Sequence, residues 1–325
     1  MSRVPSIEGF VGHLITKSPS VKPKGGEDIE VSVVTVCFNP LMAGRKDLFL
    51  KNLDSVQAQE GVCLEHLIID GDSSDGTFEW LKRYKNTTYD IRIMSKADSG
   101  IYEAMNRAIA LARGKYIIYL NSDDYFHNSR GMAFSVSRIE KLKCDFTFAP
   151  VRFSDPSIRH NPQCDPQRRL YRFIISWCFS HQTMLTKRSL LLRLDGFDTS
   201  YKSAADYDLL LRMIIAGAKG CFVPLTFSTF STGGFSEDNY EDAVAECICS
   251  LQSFFKNFYF VEMSHEEVEY IFKRRIYPSK YIEIYKHSQK LIRERFIGIP
   301  KGPIIWLSRW FNYIKYYLKC RYSSI

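Results

Sequence analysis

Along this chain, buried-looking runs of β-branched residues alternate with stretches whose apolar side chains recur every three or four positions. VSVVTVCF (31–38) is a β-branched run closed by Asn39-Pro40, which reads as a strand followed by a turn. Leu48, Phe49, Leu53 and Val56 then recur at helical spacing. HLIID (66–70) is a second short buried strand; it ends in the turn-rich DGDSSDGT, and FEWLKRY continues as helix. IRIMS (91–95) is a third strand, and Ala104, Met105, Ala108, Ile109 and Ala112 form one helical stripe with Gly114 as its C-terminal cap. KYIIYL (115–120) is the fourth strand, and it runs straight into Asn121-Ser-Asp-Asp124.

Four alternations of strand and helix predict an α/β fold, a mostly parallel sheet covered by helices on both faces. In such sheets ligands bind beyond the carboxyl ends of the strands. The polar clusters fall there: Asn39 after the first strand, Asp70–Asp75 after the second, Asp98 after the third and Asn121–Asp124 after the fourth. Downstream, DFTFAPVRF (145–153) reads as a strand and RHNPQCDPQRR as a loop. ADYDLLLRMIIAGAK carries the buried stripe Leu209, Leu210, Met213 and Ile214. From Ser236 the pattern is helical, and Ser264-His-Glu-Glu267 is a capping box. The expected organisation is a linker-like extension (1–28), a catalytic-type domain (29–235) and a helical C-terminal extension (236–325), with regular structure starting at Ile29.

Charge sharpens this division. The net charge is +8, and the stretch from Lys286 to the end accounts for all of it, with nine Lys/Arg against Glu294. The basic character is therefore a property of the tail, not a field suited to nucleic acid. Nine cysteines without a CxxC pair fit reduced thiols and a cytoplasmic setting better than a disulfide framework or a zinc site. No signal peptide is expected at the N-terminus, and no apolar stretch of about 18 residues is present to span a membrane. Without a secretory signal, Asn86-Thr-Thr carries no weight as a glycosylation acceptor.

GxGxxG, the P-loop pattern, HExxH and GxSxG are all absent, which argues against dinucleotide, P-loop, zincin and serine-hydrolase chemistry. What remains is acid-rich. Asp123 and Asp124 are adjacent carboxylates at the end of a greasy strand, and their repulsion would be relieved by a cation. Mg²⁺ or Mn²⁺ prefers carboxylates together with phosphate oxygens. Taken alone, the same pair reads more readily as the start of a turn or a helix cap.

The ordered series VSVVTVCFN, LIIDGDSSDGT, KADSGIYEAMNRAIALARGKYIIYLNSDD, HQTML, GFD and ADYDLLLR resembles the family-2 glycosyltransferases of the GT-A fold. The likeness is strongest to the bacterial branch that builds exopolysaccharide, capsule and O-antigen, and it covers roughly residues 29–235. It implies a metal-dependent transfer of sugar, with inversion, from a nucleotide-diphosphate donor such as a UDP-sugar. Asn121-Ser-Asp-Asp124 matches the DxD-type position, with Asp124 on the cation and Asp123 on the ribose or the cation. Asp70 matches the acid that meets the nucleotide base; Gly71 separates it from Asp72 where relatives have adjacent acids, so either acid is a candidate. Asn39, Asp98 and Asn106 would line the donor site. ADYD matches the base motif, with Ala205 where Glu is frequent, and makes Asp206 the candidate general base. His181, Gln182 and Asp208 are candidates beside the acceptor or the pyrophosphate, and Gly233-Gly234-Phe-Ser236 resembles a loop that closes over the donor.

In GPIIWLSRWFNYIKYYLKCRY (302–322), Ser308, Arg309, Asn312, Lys315 and Lys319 fall on roughly a third of a helical wheel. Aromatic and basic residues together suit a helix lying on an anionic membrane, on the inner face of the cell membrane. The resemblance agrees, since acceptors in that branch are often sugars on a polyprenyl diphosphate. Two rivals stand beside this reading. A sugar-phosphate nucleotidyltransferase has a similar sheet but needs a glycine-rich basic loop after the first strand, which VCFNPLMAGRKD does not supply. A non-catalytic carbohydrate- or lipid-binding module predicts loss of the acids, yet Asp123, Asp124 and Asp206 are present.

Overall fold

A computed structural model describes residues 13–17, 29–84, 90–155, 174–175, 180–232 and 239–298. In chain order the first half holds β1 (His13–Lys17), β2 (Val31–Cys37), α1 (Lys46–Gln57), β3 (Leu64–Asp70), α2 (Thr77–Arg83), β4 (Asp90–Ser95), α3 (Ile101–Leu111), β5 (Tyr116–Tyr119) and β6 (Tyr125–Phe126). Then come α4 (Gly131–Leu142), β7 (Phe146–Phe148), β8 (Arg152–Phe153), β9 (Thr186–Lys187), α5 (Arg188–Arg193), α6 (Ala205–Ile215), β10 (Gly220–Phe222) and β11 (Ser228–Phe230). The C-terminal part contributes α7 (Tyr240–Tyr259), α8 (His265–Arg274), α9 (Ile282–Arg295) and β12 (Phe296–Ile297).

The main sheet has nine strands in the order β1-β4-β3-β2-β5-β9-β7-β10-β12, and a smaller one runs β6-β11-β8. β2 pairs in parallel with β3 and β5, and β3 with β4, as the alternating pattern predicts. The two-residue period of a strand sends side chains to opposite faces, and here both faces are covered. Val34, Val36, Leu67, Ile69, Ile117 and Tyr119 pack with α3 and α6, whereas Val31, Val33, Ile68 and Ile118 pack with Phe49, Leu53 and Val56 of α1. A strand buried on both faces reads as an unbroken apolar run, which is why these strands are legible.

Four expectations are corrected. Regular structure begins before Ile29, because β1 pairs antiparallel with β4. The 145–153 stretch is two strands in two sheets, β7 and β8, parted at Ala149-Pro150, where proline offers no N–H to a ladder. Gly114 does not cap α3, whose C-cap is Ala112. It is needed for close packing instead, since a Cβ there would lie 2.4 Å from the Ser32 backbone nitrogen. The C-terminal segment is not only helical: β12 joins the main sheet beside β10, and Cys247, Leu251 and Phe255 of α7 share a core with Leu210 and Met213 of α6. The Ser264 capping box forms with both of its hydrogen bonds. The Gly233–Ser236 loop, the Asn86 triplet, the proline loop and the 302–322 tail lie outside the described residues. Among the described residues no helix is long and apolar enough to cross a membrane.

Candidate active site

Asp70 ends β3 level with Cys37 on β2 and Ser95 on β4. Its carboxylate is wholly buried and accepts from the Ser95 hydroxyl (2.6 Å), the Ser73 N–H (3.1 Å) and the Cys37 thiol (3.7 Å). Burial and the neighbouring Asp70 carboxylate push that thiol well up. Asn39 occupies the left-handed region at φ 48° and stitches the two strand-end loops together. Its N–H donates to Ser73 Oγ and its Oδ1 accepts from the Ser74 N–H, both at 2.8 Å. Asp72, also left-handed (φ 67°), is exposed at the rim. Asp98 folds over Gly71, where a Cβ would meet its Oδ2 at 2.9 Å, and it accepts from the Gly100 N–H at 3.1 Å. The glycine between Asp70 and Asp72 thus makes room for a third acid, and burial raises the pKa of Asp98.

The Asn121–Asp124 stretch closes as a turn, with the Asp124 N–H donating to the Asn121 carbonyl at 3.0 Å. Asn52, buried on α1, holds that turn by donating to the carbonyls of Asn121 (2.8 Å) and Asp124 (3.0 Å). Ser231, just after β11, donates its N–H to Asp124 Oδ1 at 2.8 Å and its hydroxyl to the Asp123 carbonyl at 2.5 Å. Gln182 donates to Asp124 Oδ2 at 2.7 Å. Asp124 is therefore only 1% exposed, with both oxygens bonded inside the protein. Asp123 stands outside it, its side chain 13% exposed and paired with Arg45. Burial, and then the Asp123 charge, lift Asp124 to about 7. Burial also raises Asp123, against the pull of Arg45.

The dipeptide His181-Gln182 opens a short 3₁₀ turn and joins two acids. While Gln182 holds Asp124, His181 Nδ1 lies 3.5 Å from Asp206 Oδ2, and both of those side chains are 22% exposed. Asp206 sits in the first turn of α6, and its Oδ1 accepts from the Tyr207 N–H at 2.8 Å. The other two motif residues are occupied elsewhere. Asp208 accepts from Arg212 (2.7 Å) and Ser250 (3.2 Å), so it ties α6 to α7 rather than facing Asp206's partner. Asn106 is 0% exposed, and its amide both donates to and accepts from the Phe197 backbone, at 2.9 and 2.8 Å. It pins the 197 loop instead of turning to a ligand.

Among the described residues no three His, Cys, Asp or Glu side chains converge as a metal cage. A Mg²⁺ or Mn²⁺ that arrives with phosphates needs only one or two protein carboxylates. The pair Asp123 and Asp124 fits that need, and Asn121 Oδ1 beside it is a buried acceptor with no partner. Reading the sequence missed Arg45, Asn52, Ser231 and Glu246. The signal for Asn52 was there, as a polar residue in the middle of an otherwise apolar helix face, but its target was not.

Comparison with known proteins agrees with this fold. A 170-residue stretch is 32% identical to the chondroitin synthase of Pasteurella multocida (strain Pm70), covering 51% of this chain and 17% of the synthase. The chain thus matches a small part of that protein's length. It is 27% identical over 162 residues to a PGL/p-HBAD biosynthesis glycosyltransferase of Mycobacterium bovis (strain BCG / Pasteur 1173P2), covering 49% of this chain and 62% of that one. Among solved structures, S. aureus TarS 1–349 in complex with UDP-GlcNAc superposes with a TM-score of 0.59 at 16% identity, covering 82% of each chain. The mannosyltransferase PcManGT from Pyrobaculum calidifontis, in complex with GDP-Man and Mn²⁺, gives 0.57 at 17% identity, over 85% of this chain and 76% of that one. Those structural likenesses establish the shared GT-A fold. The glycosyl transferase family 2 model matches residues 32–197, half of the chain and all four strand ends that build the site, and the chain belongs to that family.

Proposed function

We propose that this protein is a metal-dependent, inverting glycosyltransferase acting on a nucleotide-diphosphate sugar. The observation that carries the reading is the His181-Gln182 dipeptide, which links an accessible carboxylate, Asp206, to the acid pair Asp123-Asp124 across one sheet edge. Asp206 takes the proton of the acceptor hydroxyl as that oxygen bonds to the anomeric carbon. The bond from that carbon to the diphosphate breaks on the opposite side, so the centre inverts and the nucleotide diphosphate leaves with the electron pair. Asn39, Asp70, Asp72 and Asp98 form the polar wall suited to the base and ribose. Asp123 and Asp124 would hold Mg²⁺ or Mn²⁺, which when bound neutralises charge on the departing diphosphate. Relatives solved with UDP-GlcNAc, or with GDP-Man and Mn²⁺, support this donor class.

The acceptor in this reading is a bacterial surface glycan carried on a polyprenyl diphosphate, and the basic aromatic 302–322 tail would keep the enzyme on the inner face of the membrane. The test has two arms. Nucleotide diphosphates titrated calorimetrically with and without Mn²⁺ should bind only in its presence. With a reactive nucleotide sugar, Asp206→Asn should lower turnover by about a thousandfold while that binding persists. Unchanged turnover removes Asp206 as the base, and cation-independent binding removes the metal.

A further inference from the structure

We propose that Glu246, on α7 of the C-terminal extension, is a positioning residue for Asp206, acting together with Tyr102 of α3. The proposal rests on the reading of Asp206 as the base. The first N–H groups of a helix have no partner inside it and must find one elsewhere. At the entry to α6 three consecutive N–H groups are taken by one carboxylate. Glu246 Oε1 accepts from Lys202 at 2.8 Å, and its Oε2 accepts from Ser203 at 2.8 Å and Ala204 at 2.9 Å. The Tyr102 hydroxyl lies beside the backbone of the next two residues, Ala205 and Asp206, where burial and then the Asp206 charge push its pKa up. Tyr207 donates to Asp206 Oδ1. The first bond within the helix follows, from Asp208 to the Ala204 carbonyl at 3.1 Å.

These bonds fix the segment that leads into Asp206, and the Tyr207 N–H binds Oδ1, which leaves Oδ2 as the oxygen toward His181. The clamp is itself anchored. The Tyr102 ring stacks on Phe197 at 5.5 Å, and the Phe197 backbone is held at both ends by Asn106. Glu246 projects from a helix whose Ala243, Cys247 and Leu251 are wholly buried. The C-terminal extension therefore reaches the reacting centre through one carboxylate, although Glu246 touches no substrate.

Steady-state kinetics and nucleotide binding on the full chain test this, with Glu246→Ala, Glu246→Gln, Tyr102→Phe and Asp206→Asn. Because about 1 Å of misplacement can cost a hundredfold in rate, Glu246→Ala should lower kcat by roughly ten- to a hundredfold. Glu246→Gln keeps one accepting oxygen and should fall between Ala and the parent; Tyr102→Phe should also lower kcat. The donor's dissociation constant should stay within about twofold in all three, since the strand-end loops are untouched. Should Glu246→Ala not fold, Glu246→Gln and Tyr102→Phe decide the matter. Normal kcat in the Glu246 and Tyr102 variants beside an inactive Asp206→Asn would overturn the clamp alone, as would losses of kcat, donor affinity and melting temperature in equal step. An active Asp206→Asn would overturn the reading of the base instead.

Discussion

The two edges of the parallel sheet bury carboxylates in opposite ways. At the amino edge, Glu65 is fully enclosed and accepts from Ser32 Oγ (2.6 Å), Arg113 N (2.6 Å), Arg113 Nε (2.8 Å) and Arg92 (3.0 Å). Burial alone would raise its pKa, but these donors hold it below the usual range. At the carboxyl edge, Asp124 is just as deeply enclosed but has only the amide of Gln182 and one N–H as direct partners, with another acid beside it. Its pKa rises to about 7. The first arrangement is complete as it stands; the second is short of positive charge. A buried acid whose pKa is raised by its surroundings, on the ligand-binding edge of such a sheet, marks a site that a cationic group completes.

That contrast is most directly broken by paired substitutions. Asp124→Asn should cut turnover by roughly a thousandfold, the several kcal/mol a bound cation contributes to the reaction. Its urea midpoint without ligands should move little. Glu65→Gln should behave in reverse. Removing one partner of a buried ion cluster leaves Arg92 uncompensated and should cost about 3 kcal/mol in urea unfolding, with kcat per folded molecule kept. If the two variants lose stability alike, the distinction between a complete edge and an unfinished one is wrong.

A finer probe sits between the scaffold and the site. Asn52 donates to two carbonyls of the Asn121–Asp124 turn, and Asn52→Ala strands the Asp124 carbonyl in a dry environment and leaves the Asn121 carbonyl only the Asp124 N–H. The expected loss is about 2 kcal/mol in urea unfolding. A parallel fall in turnover, at a donor concentration that saturates the folded enzyme, would locate the turn's rigidity in the chemistry. Stability loss with normal kcat would make Asn52 a scaffold residue only.

What the sequence revealed and what it hid follow from chain separation. The four strands were legible because burial on both faces makes each an apolar run, and their polar ends marked the edge where the acids gather. The partners of the acids were not legible. Ser231 reaches Asp124 across 107 positions, Asn52 across 72 and Glu246 reaches Ala204 across 42. No local pattern encodes such pairings, since a serine, an asparagine or a glutamate on a helix reads first as a solvated or packing residue. Motif register likewise put Asn106 and Asp208 among the site residues, whereas their hydrogen bonds go to the backbone of Phe197 and to Arg212. Neighbours in sequence on a helix point to different faces, and only packing decides which one the site receives.

The smallest effect separates the two edges by pH. His66 lies next to Glu65 on β3, fully buried and bonded to Thr35 Oγ1 at 2.8 Å. Burial lowers its pKa from 6.5 to about 3. Between those values the unfolded chain binds a proton that the folded one refuses, so this group's contribution is present above pH 6.5 and is lost as pH falls. Asp124 has the opposite sign, because a carboxyl raised to about 7 takes its proton in the folded state first and gains stability on acidification toward the unfolded value. The edges therefore oppose each other across the same pH range, and the native slope is their difference. His66→Gln removes one side of that balance while keeping a group able to bond Thr35. From pH 6.5 to 5 it should lose about 1.5 kcal/mol less stability than the parent, read from urea midpoints at both values. Parallel curves for the two proteins would mean that His66 is protonated inside the fold, and the amino edge would then be less dry than its geometry indicates.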